Sequence, residues 1–148
     1  MQRVYVDANV VIYSIGREHP LRQPCAAFLE LAAYSGTCFT SSEVLQEILN
    51  VLCRRGQIEA ARRVLRRFDE TLNSRIEPVT REDVLRAAEL ELPPALQARD
   101  RLHLAVMERL EVTRIVTTDS DFDAAPGVQR LDPLTLSSWR DSVFAAEA

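Results

Sequence analysis

Two aspartates in this chain of 148 residues stand directly after short apolar segments that are typical of buried strands. Asp7 follows residues 3–6, and Asp119 follows a segment that ends in Ile115-Val116-Thr117-Thr118. The carboxyl ends of parallel strands meet at one edge of a sheet, so the two carboxylates are expected to lie together there. Either residue alone also fits a helix N-cap or an Asx turn. Their equivalent placement is what indicates chemistry.

Two further carboxylates occupy helical positions beside apolar stripes. Glu47 lies at the border of such a stripe, whereas Glu43 points further away and is expected to be solvated. Asp100 heads the face that continues through Leu104 and Met107, at i, i+4 and i+7. A surface glutamate is the plain alternative for Glu47, and helix capping is the plain alternative for Asp100. These spacings alone do not establish that the four acids converge.

Carboxylates gathered in a partly dry cleft raise one another's pKa, and a divalent cation relieves that cost. Carboxylate oxygens without Cys or His ligands favour a hard ion, so Mg²⁺ or Mn²⁺ is expected rather than zinc. The three cysteines have no close spacing, and they are expected to be reduced, semi-buried packing residues. His103 is expected to be a packed or hydrogen-bonded histidine rather than a ligand.

The elements that position these acids alternate along the chain, which predicts an α/β fold with a mainly parallel sheet. Ser41 or Ser42 is a candidate N-cap, Gly56 a helix stop, and Thr80 with Asp83 a capping box. The patterns predict one domain over residues 1–148 with these elements: strands at 3–6, 37–40, 75–79, 114–117 and 128–131, a helical turn at 10–13, helices at 22–35, 42–55, 57–73, 81–92 and 99–111, and a last helix around Trp139.

Composition limits the classes of function. The net charge is −4, and all 18 basic residues are arginines. The chain has no apolar run near the ~20 residues of a membrane span and no secretion signal, so a cytoplasmic protein is expected. A phosphotransfer domain with Asp7 as nucleophile would need a lysine, and the sequence contains none.

Four segments together resemble the PIN-domain family of metal-dependent ribonucleases, and more narrowly the VapC-type toxins of bacterial toxin–antitoxin pairs. They are VDANVVIY with Asp7, SSEVLQEILNVL with Glu47, ARDRLHLAVM with Asp100, and IVTTDSDF with Asp119 and Asp121. Each segment alone is a weak signal. Their order and spacing over nearly the whole chain make the resemblance specific.

The resemblance implies a three-layer α/β/α sandwich, a homodimer, an antitoxin partner, and Mg²⁺-dependent hydrolysis of RNA without a covalent nucleophile. It also implies roles for particular residues: an acidic, metal-binding site of Asp7, Glu47, Asp100 and Asp119, with Asp121 as auxiliary, and supporting side chains Asn9 and Thr117. Asp123 leaves the assignment of the fourth acid open. The alternative function is a catalytically silent module that binds RNA or protein in the same cleft.

Partner surfaces are less strongly indicated by the sequence. Four arginines at i, i+4 spacing, Arg62 with Arg66 and Arg63 with Arg67, form either a solvated face or a patch that contacts RNA phosphates. An antitoxin segment would lie in a groove between helices. Its apolar contacts would come from the helix over 57–73 and from Phe28, Leu29 and Leu31, although core packing explains these residues equally well.

Overall fold

A computed structural model describes residues 2–145, and these residues form a parallel sheet with helices on both faces. The strands are β1 (Val4–Val6), β2 (Cys38–Ser41), β3 (Ile76–Glu77), β4 (Arg114–Val116) and β5 (Gln129–Leu131). The helices are α1 (Ala8–Ile15), α2 (Arg22–Ala32), α3 (Ser42–Arg54), α4 (Ile58–Thr71), α5 (Arg81–Glu89), α6 (Ala98–Arg109) and α7 (Leu136–Phe144).

The sheet has the order β3-β2-β1-β4-β5, and every pairing is parallel. β1 lies in the centre and pairs with β4 through Val4 with Arg114 and Val6 with Val116. β1 and β4 are buried at every position, and apart from Arg114 at the start of β4 their residues are apolar or aromatic. Their pairing brings Asp7 and Thr117, the residues that follow the two strands, to the same edge of the sheet.

The predicted α/β/α sandwich is confirmed, with small shifts at the ends of elements. The predicted turn at 10–13 is a full helix over Ala8–Ile15, because Asp7 caps it three residues earlier. The helix expected over 22–35 ends at Ala32, ahead of Gly36, and the helix expected over 81–92 ends at Glu89. The strand expected over 75–79 is only two residues long, because it pairs with β2 at Thr40 and Ser41 alone.

Two predicted helix ends have the geometry that their residues favour. Gly56 has φ of 69° after α3, and the amides of Gly56 and Gln57 donate to the carbonyls of Cys53 and Leu52. This is a Schellman motif, which needs the left-handed conformation that glycine adopts without strain. Thr80 and Asp83 form the predicted capping box at the start of α5.

The core contains the apolar residues of the sheet and the helix faces against it. Phe28 is fully buried, and its ring packs against Trp139 at 5.9 Å and Phe144 at 5.8 Å between centroids. Cys25 and Cys38 are buried as expected, but Cys53 is exposed, so the packing role predicted for that cysteine is wrong. Among residues 2–145, no helix has both the length and the apolar character needed to cross a membrane.

Candidate active site

Asp7 is a helix cap and a buried member of an acidic cluster at the same time. It follows β1, and its Oδ1 accepts the amide of Ala8 at 2.7 Å, which begins α1. Its Oδ2 accepts the Thr117 hydroxyl at 2.7 Å and the Asn9 amide at 3.3 Å. Asp7 is only 5% exposed. The ordinary turn geometry therefore serves to aim a carboxylate at the edge of the sheet.

Asn9 and Thr117 join the loop after β1 to the loop after β4. The Asn9 amide donates to Thr117 Oγ1 at 3.0 Å, and its Oδ1 accepts the amide of Thr118 at 3.1 Å. Thr117 Oγ1 also accepts the backbone amide of Asp119 at 3.1 Å. The two side chains thus fix Asp7 and Asp119 on adjacent loops, which is the geometry that the expected supporting role requires.

Glu47 projects from α3 into the same region. Its Oε1 lies 3.0 Å from Nε2 of His103, and that nitrogen lies 3.6 Å from Oδ1 of Asp7. Ligating atoms of these three residues all lie within 4.8 Å of one another. All three side chains are buried, so Glu47 belongs to the cluster and is not a surface glutamate.

His103 is held by a hydrogen-bond network that the sequence analysis did not find. Its Nδ1 lies 2.7 Å from the Tyr5 hydroxyl, which lies 2.6 Å from Ser41 Oγ. Since an ionised Glu47 can only accept, Nε2 of His103 donates to it, and that nitrogen then has no lone pair for a metal. His103 is therefore a buried, hydrogen-bonded histidine, as expected. Ser41 Oγ does not cap α3, because it is bound to Tyr5.

Asp100 and Asp119 lie near this compact group, close enough for their charges to interact, but they are not members of it. Asp100 lies in the first turn of α6, where its Oδ2 accepts the amide of Gln97 at 3.0 Å. Asp119 caps a 3₁₀ helix over Ser120–Ala124, and its Oδ1 accepts the amide of Asp121 at 2.9 Å. Within the described part of the chain, Asp100 Oδ1, Asp119 Oδ2 and Glu47 Oε2 have no hydrogen-bond partner.

Loss of hydration on burial has the largest influence on the pKa values of this site. Burial raises the pKa of Asp7. The charge of Glu47 raises it further, whereas the charge of His103 lowers it. Burial also raises the pKa of Asp100, and the charges of Asp119 and Asp7 act in the same direction. For His103, burial lowers the pKa, but the hydrogen bond that it donates to Glu47 and the charges of the nearby carboxylates outweigh burial and raise the pKa. Burial thus disfavours the charged form of the Asp7 and Asp100 carboxyls, and the neighbouring acids add to this effect.

The arginines beside Asp100 in sequence do not neutralise this charge. Arg101 donates to the carbonyls of Ala87 and Leu90 at 2.9 and 2.8 Å, and so caps the end of α5. No arginine within residues 2–145 forms a salt bridge with any of the four acids. Four carboxylates without a permanent cation are the donor set that suits a hard divalent ion.

Glu43 was expected to be solvated, and that expectation is wrong. It is half-buried one turn before Glu47, and burial raises its pKa, as does the charge of Glu47. Its i, i+4 spacing from Glu47 was the signal that could have revealed it. Glu43 is thus a further acid at the rim of the cluster.

Asp121 and Asp123 differ clearly in their surroundings. Asp121 is exposed, and its recorded contact with the site is the backbone amide that donates to Asp119. Asp123 accepts Nε and NH2 of Arg130 at 2.8 and 3.2 Å. Asp123 is therefore half of an ion pair. The role of Asp121 as an auxiliary ligand stays a prediction.

The chain belongs to the PIN domain family, because the profile of the PIN domain matches residues 4–128. Ribonuclease VapC23 of Mycobacterium tuberculosis is 39% identical over 127 residues, which cover 82% of this chain and 97% of that protein. Ribonuclease VapC13 of the same species is 37% identical over 135 residues, which cover 86% and 98%.

Solved structures share the fold. VapC20 of M. tuberculosis, described as a sarcin-ricin loop cleaving toxin, matches with a TM-score of 0.65 and 22% identity over 83% of this chain and 95% of that one. VapBC2 from Rickettsia felis, bound to a DNA fragment from their promoter, matches with a TM-score of 0.66 and 18% identity over 88% and 98%. At these identities the similarity extends to the fold alone.

Proposed function

We propose that this PIN-domain protein is a Mg²⁺-dependent endoribonuclease toxin that an antitoxin protein neutralises. The observation that carries the proposal is the placement of four acids, Asp7, Glu47, Asp100 and Asp119, in one region, where no arginine of residues 2–145 forms a salt bridge with them. The relatives named ribonucleases match nearly their whole length, which supports an RNA phosphodiester as the substrate.

The donor set fits a hard divalent cation, Mg²⁺ or Mn²⁺. Asp7, Asp100 and Asp119 would hold it with Glu47. Among residues 2–145, Asp100 Oδ1, Asp119 Oδ2 and Glu47 Oε2 have no hydrogen-bond partner, and Asp7 Oδ1, which accepts one hydrogen bond, keeps a second lone pair. When bound, such an ion stabilises charge on a phosphoryl oxygen and lowers the pKa of a water molecule. Asp121 is proposed as an auxiliary ligand that comes into reach only by a side-chain movement.

The residues around the acids position them for this work. Asn9 and Thr117 fix the rotamer of Asp7, and the Tyr5–His103 pair fixes that of Glu47. The side chains of Ser41 and Thr117 are fully buried within this framework, out of reach of an RNA phosphate, so neither is proposed as a nucleophile. Water is therefore the proposed nucleophile, and the 3′ oxygen of the RNA is the leaving group.

The test is cleavage of single-stranded RNA by the purified protein with Mg²⁺ and with EDTA. Water attack with a 3′-oxygen leaving group gives products with a 5′-phosphate and a 3′-hydroxyl, and EDTA should abolish them. Products that end in a 2′,3′-cyclic phosphate would contradict the mechanism. RNA binding without cleavage in Mg²⁺ or Mn²⁺ would favour the alternative, a catalytically silent module.

An open groove between α1, α2 and α4 is the proposed antitoxin site. Its volume is about 570 Å³, and its lining includes Val11, Leu29 and Val64. Tyr34 lies in this groove with 94% of its surface exposed, an unusual state for a large aromatic residue. The predicted contribution of Phe28 is wrong, because that ring is fully buried in the core; Leu31 is absent from the lining.

Such a groove fits the apolar face of a partner helix. Replacement of Leu29 by Asp should weaken binding of the antitoxin encoded beside this gene and leave RNA cleavage intact. If the Leu29→Asp variant and the unmodified protein bind the antitoxin with equal affinity, this groove is not the antitoxin site.

The arginine patch on α4 stays a proposal. Arg62, Arg63, Arg66 and Arg67 are all exposed, Arg62 pairs with Glu59, and Arg67 lines the antitoxin groove. The double change Arg62→Ala and Arg66→Ala should weaken RNA binding more at low salt than at high salt, because phosphate contacts release counterions. Equal binding at every salt concentration would make the patch a solvated face.

We also propose that the whole chain is one domain and that it forms a homodimer in the cytoplasm. A single unfolding transition and the mass from sedimentation equilibrium test the first two statements. Two transitions, or a monomer at every concentration, would contradict them.

A further inference from the structure

A second open groove lies next to the acidic site. Its volume is about 970 Å³, and it is lined by α1, by the segment after α1, and by the end of α3. Asn9 lies in its lining, and the same Asn9 amide contacts Asp7 and Thr117. The groove is therefore continuous with the proposed catalytic edge.

The geometry of α1 and α3 explains this continuity. Asn9, Tyr13 and Gly16 follow one another at i, i+4 and i+7, and Val51 and Arg55 follow Glu47 at i+4 and i+8. On each helix the groove residues thus follow a residue of the acidic site along the same face, toward the C-terminal end of the helix. At 1.5 Å per residue the faces extend about 10 to 12 Å beyond the acids.

The groove carries an aromatic platform. The rings of Tyr13 and His19 lie 4.9 Å apart between centroids with an interplanar angle of 35°. The amide of Leu21 donates to Nδ1 of His19 at 3.1 Å, which fixes the orientation of an otherwise exposed ring. Tyr13 is half-buried, so the pair presents a fixed surface rather than two mobile side chains.

The charge of the groove is opposite to that of the acidic site. Arg17 and Arg55 line it, both exposed, against a single acid in the lining, Glu18. Within residues 2–145 neither arginine forms a salt bridge. Arginines that are not paired with acids beside stacked rings suit a phosphate backbone with unstacked bases.

We infer that this groove, with the Tyr13–His19 pair as stacking platform and Arg17 and Arg55 as phosphate contacts, binds the nucleotide of single-stranded RNA next to the scissile bond. The inference rests on the proposed function, since it takes RNA as the substrate. It adds a determinant of which RNA segments are cut: a base that must be unpaired to reach the rings. Paired RNA would be a poor substrate for this reason.

The test measures RNA affinity in an Asp7→Asn background, in which the bound RNA stays intact. Fluorescence anisotropy with a short labelled single-stranded RNA should show about tenfold weaker binding for Tyr13→Ala, because a base–aromatic stack is lost. Tyr13→Phe keeps the ring and should bind like the parent protein. Arg55→Ala should reduce the salt dependence of binding. Arg140→Ala, an exposed arginine on α7, serves as the matched control and should change nothing.

An abasic series of the RNA identifies the contact directly. At one position near the cleavage site, removal of the base should weaken binding to the parent protein and leave binding to Tyr13→Ala unchanged. In the cleavage assay with Asp7 intact, Tyr13→Ala should raise KM and keep kcat.

The outcomes separate this inference from the proposed function. RNA cleavage by the unmodified protein, with groove variants that bind RNA as tightly as the parent, would overturn the subsite and leave the groove to another ligand, such as a protein segment. Absence of both RNA binding and cleavage in the unmodified protein would overturn the proposed function and the subsite with it.

Discussion

Asp7 and Asp83 are both buried aspartates that follow the same local rule, yet their surroundings are opposite. Each is part of a helix cap, and they are 5% and 3% exposed. Asp83 accepts Nε and NH2 of Arg109 at 2.9 and 3.0 Å and the amide of Thr80 at 2.9 Å. Asp7 has hydroxyl, amide and histidine neighbours and further acids nearby, and no arginine in the described part of the chain forms a salt bridge with it.

The difference is visible in their protonation. Burial raises the pKa of both carboxyls, but the hydrogen bonds from Arg109 and Thr80 outweigh it at Asp83 and lower its pKa. At Asp7 the pKa stays raised, because Glu47 adds to the effect of burial. A buried acid with its own cation contributes to stability. A buried acid that shares its region with other acids costs stability, and we propose that binding of a divalent ion offsets this cost at Asp7.

The largest expected effect is at Asp7. Asp7→Asn keeps an N-cap residue and removes a ligand charge, so RNA cleavage should fall about 10³-fold, which corresponds to the loss of about 4 kcal/mol of charge stabilisation. The free energy of unfolding in EDTA should stay equal or rise, because a desolvated charge is removed. A rate assay and urea denaturation measure the two quantities. Full activity of the variant would remove Asp7 from the proposed site.

The opposite result is expected at Asp83. Asp83→Asn should lower the free energy of unfolding by about 2 kcal/mol, since a charged hydrogen-bonded pair is lost and Arg109 is partly solvated. Activity of the folded variant should be unchanged. Glu82→Gln on the same helix, where Glu82 pairs with Arg81 at the exposed surface, is the control, and its effect should stay within about 0.5 kcal/mol. Lost activity at full stability would contradict the structural role.

A smaller effect is expected from Tyr5. Tyr5→Phe retains the edge-to-face packing on Phe39, at 5.5 Å between centroids, and removes the hydroxyl between Ser41 and His103. Looser positioning of Glu47 should reduce kcat about tenfold and leave KM near its original value. A loss of stability with unchanged kcat would mean that Tyr5 is a packing residue only.

The smallest effect is a pH dependence of stability. Because the folded pKa of Asp83 is lowered, its contribution is present above the unfolded value of about 4 and is lost as pH falls through the folded value. The stability difference between the unmodified protein and Asp83→Asn should therefore shrink by about 1 kcal/mol or more between neutral pH and about pH 3. Urea denaturation of both proteins across this range measures it. A constant difference would show that the charge of Asp83 is not what stabilises α5.

The features that could be predicted from the sequence are the local ones, namely the ends of strands and helices. The runs before Asp7 and Asp119 are short, apolar and followed by polar turns, so their place at a sheet edge was evident. Thr80 and Asp83 lie three residues apart, and their capping box was predicted and is confirmed. Gly56 needed only the rule for helix ends.

Contacts between residues that are distant in sequence could not be predicted from local patterns. Tyr5 and His103 are 98 positions apart, and nothing in either segment indicates that the two side chains meet. The ion-pair partner of Asp83 is Arg109, which lies 26 residues later and on a different helix. Since strand order decides which helices face each other, the partners of a buried acid follow only from the fold.

Direct metal binding tests the central claim, that the shared acids exist to hold a divalent cation. Isothermal titration calorimetry with Mn²⁺ should show binding to the unmodified protein and to Asp83→Asn with similar affinity, and no binding to Asp7→Asn. Equal Mn²⁺ affinity in Asp7→Asn, or no binding to the unmodified protein, would contradict the account.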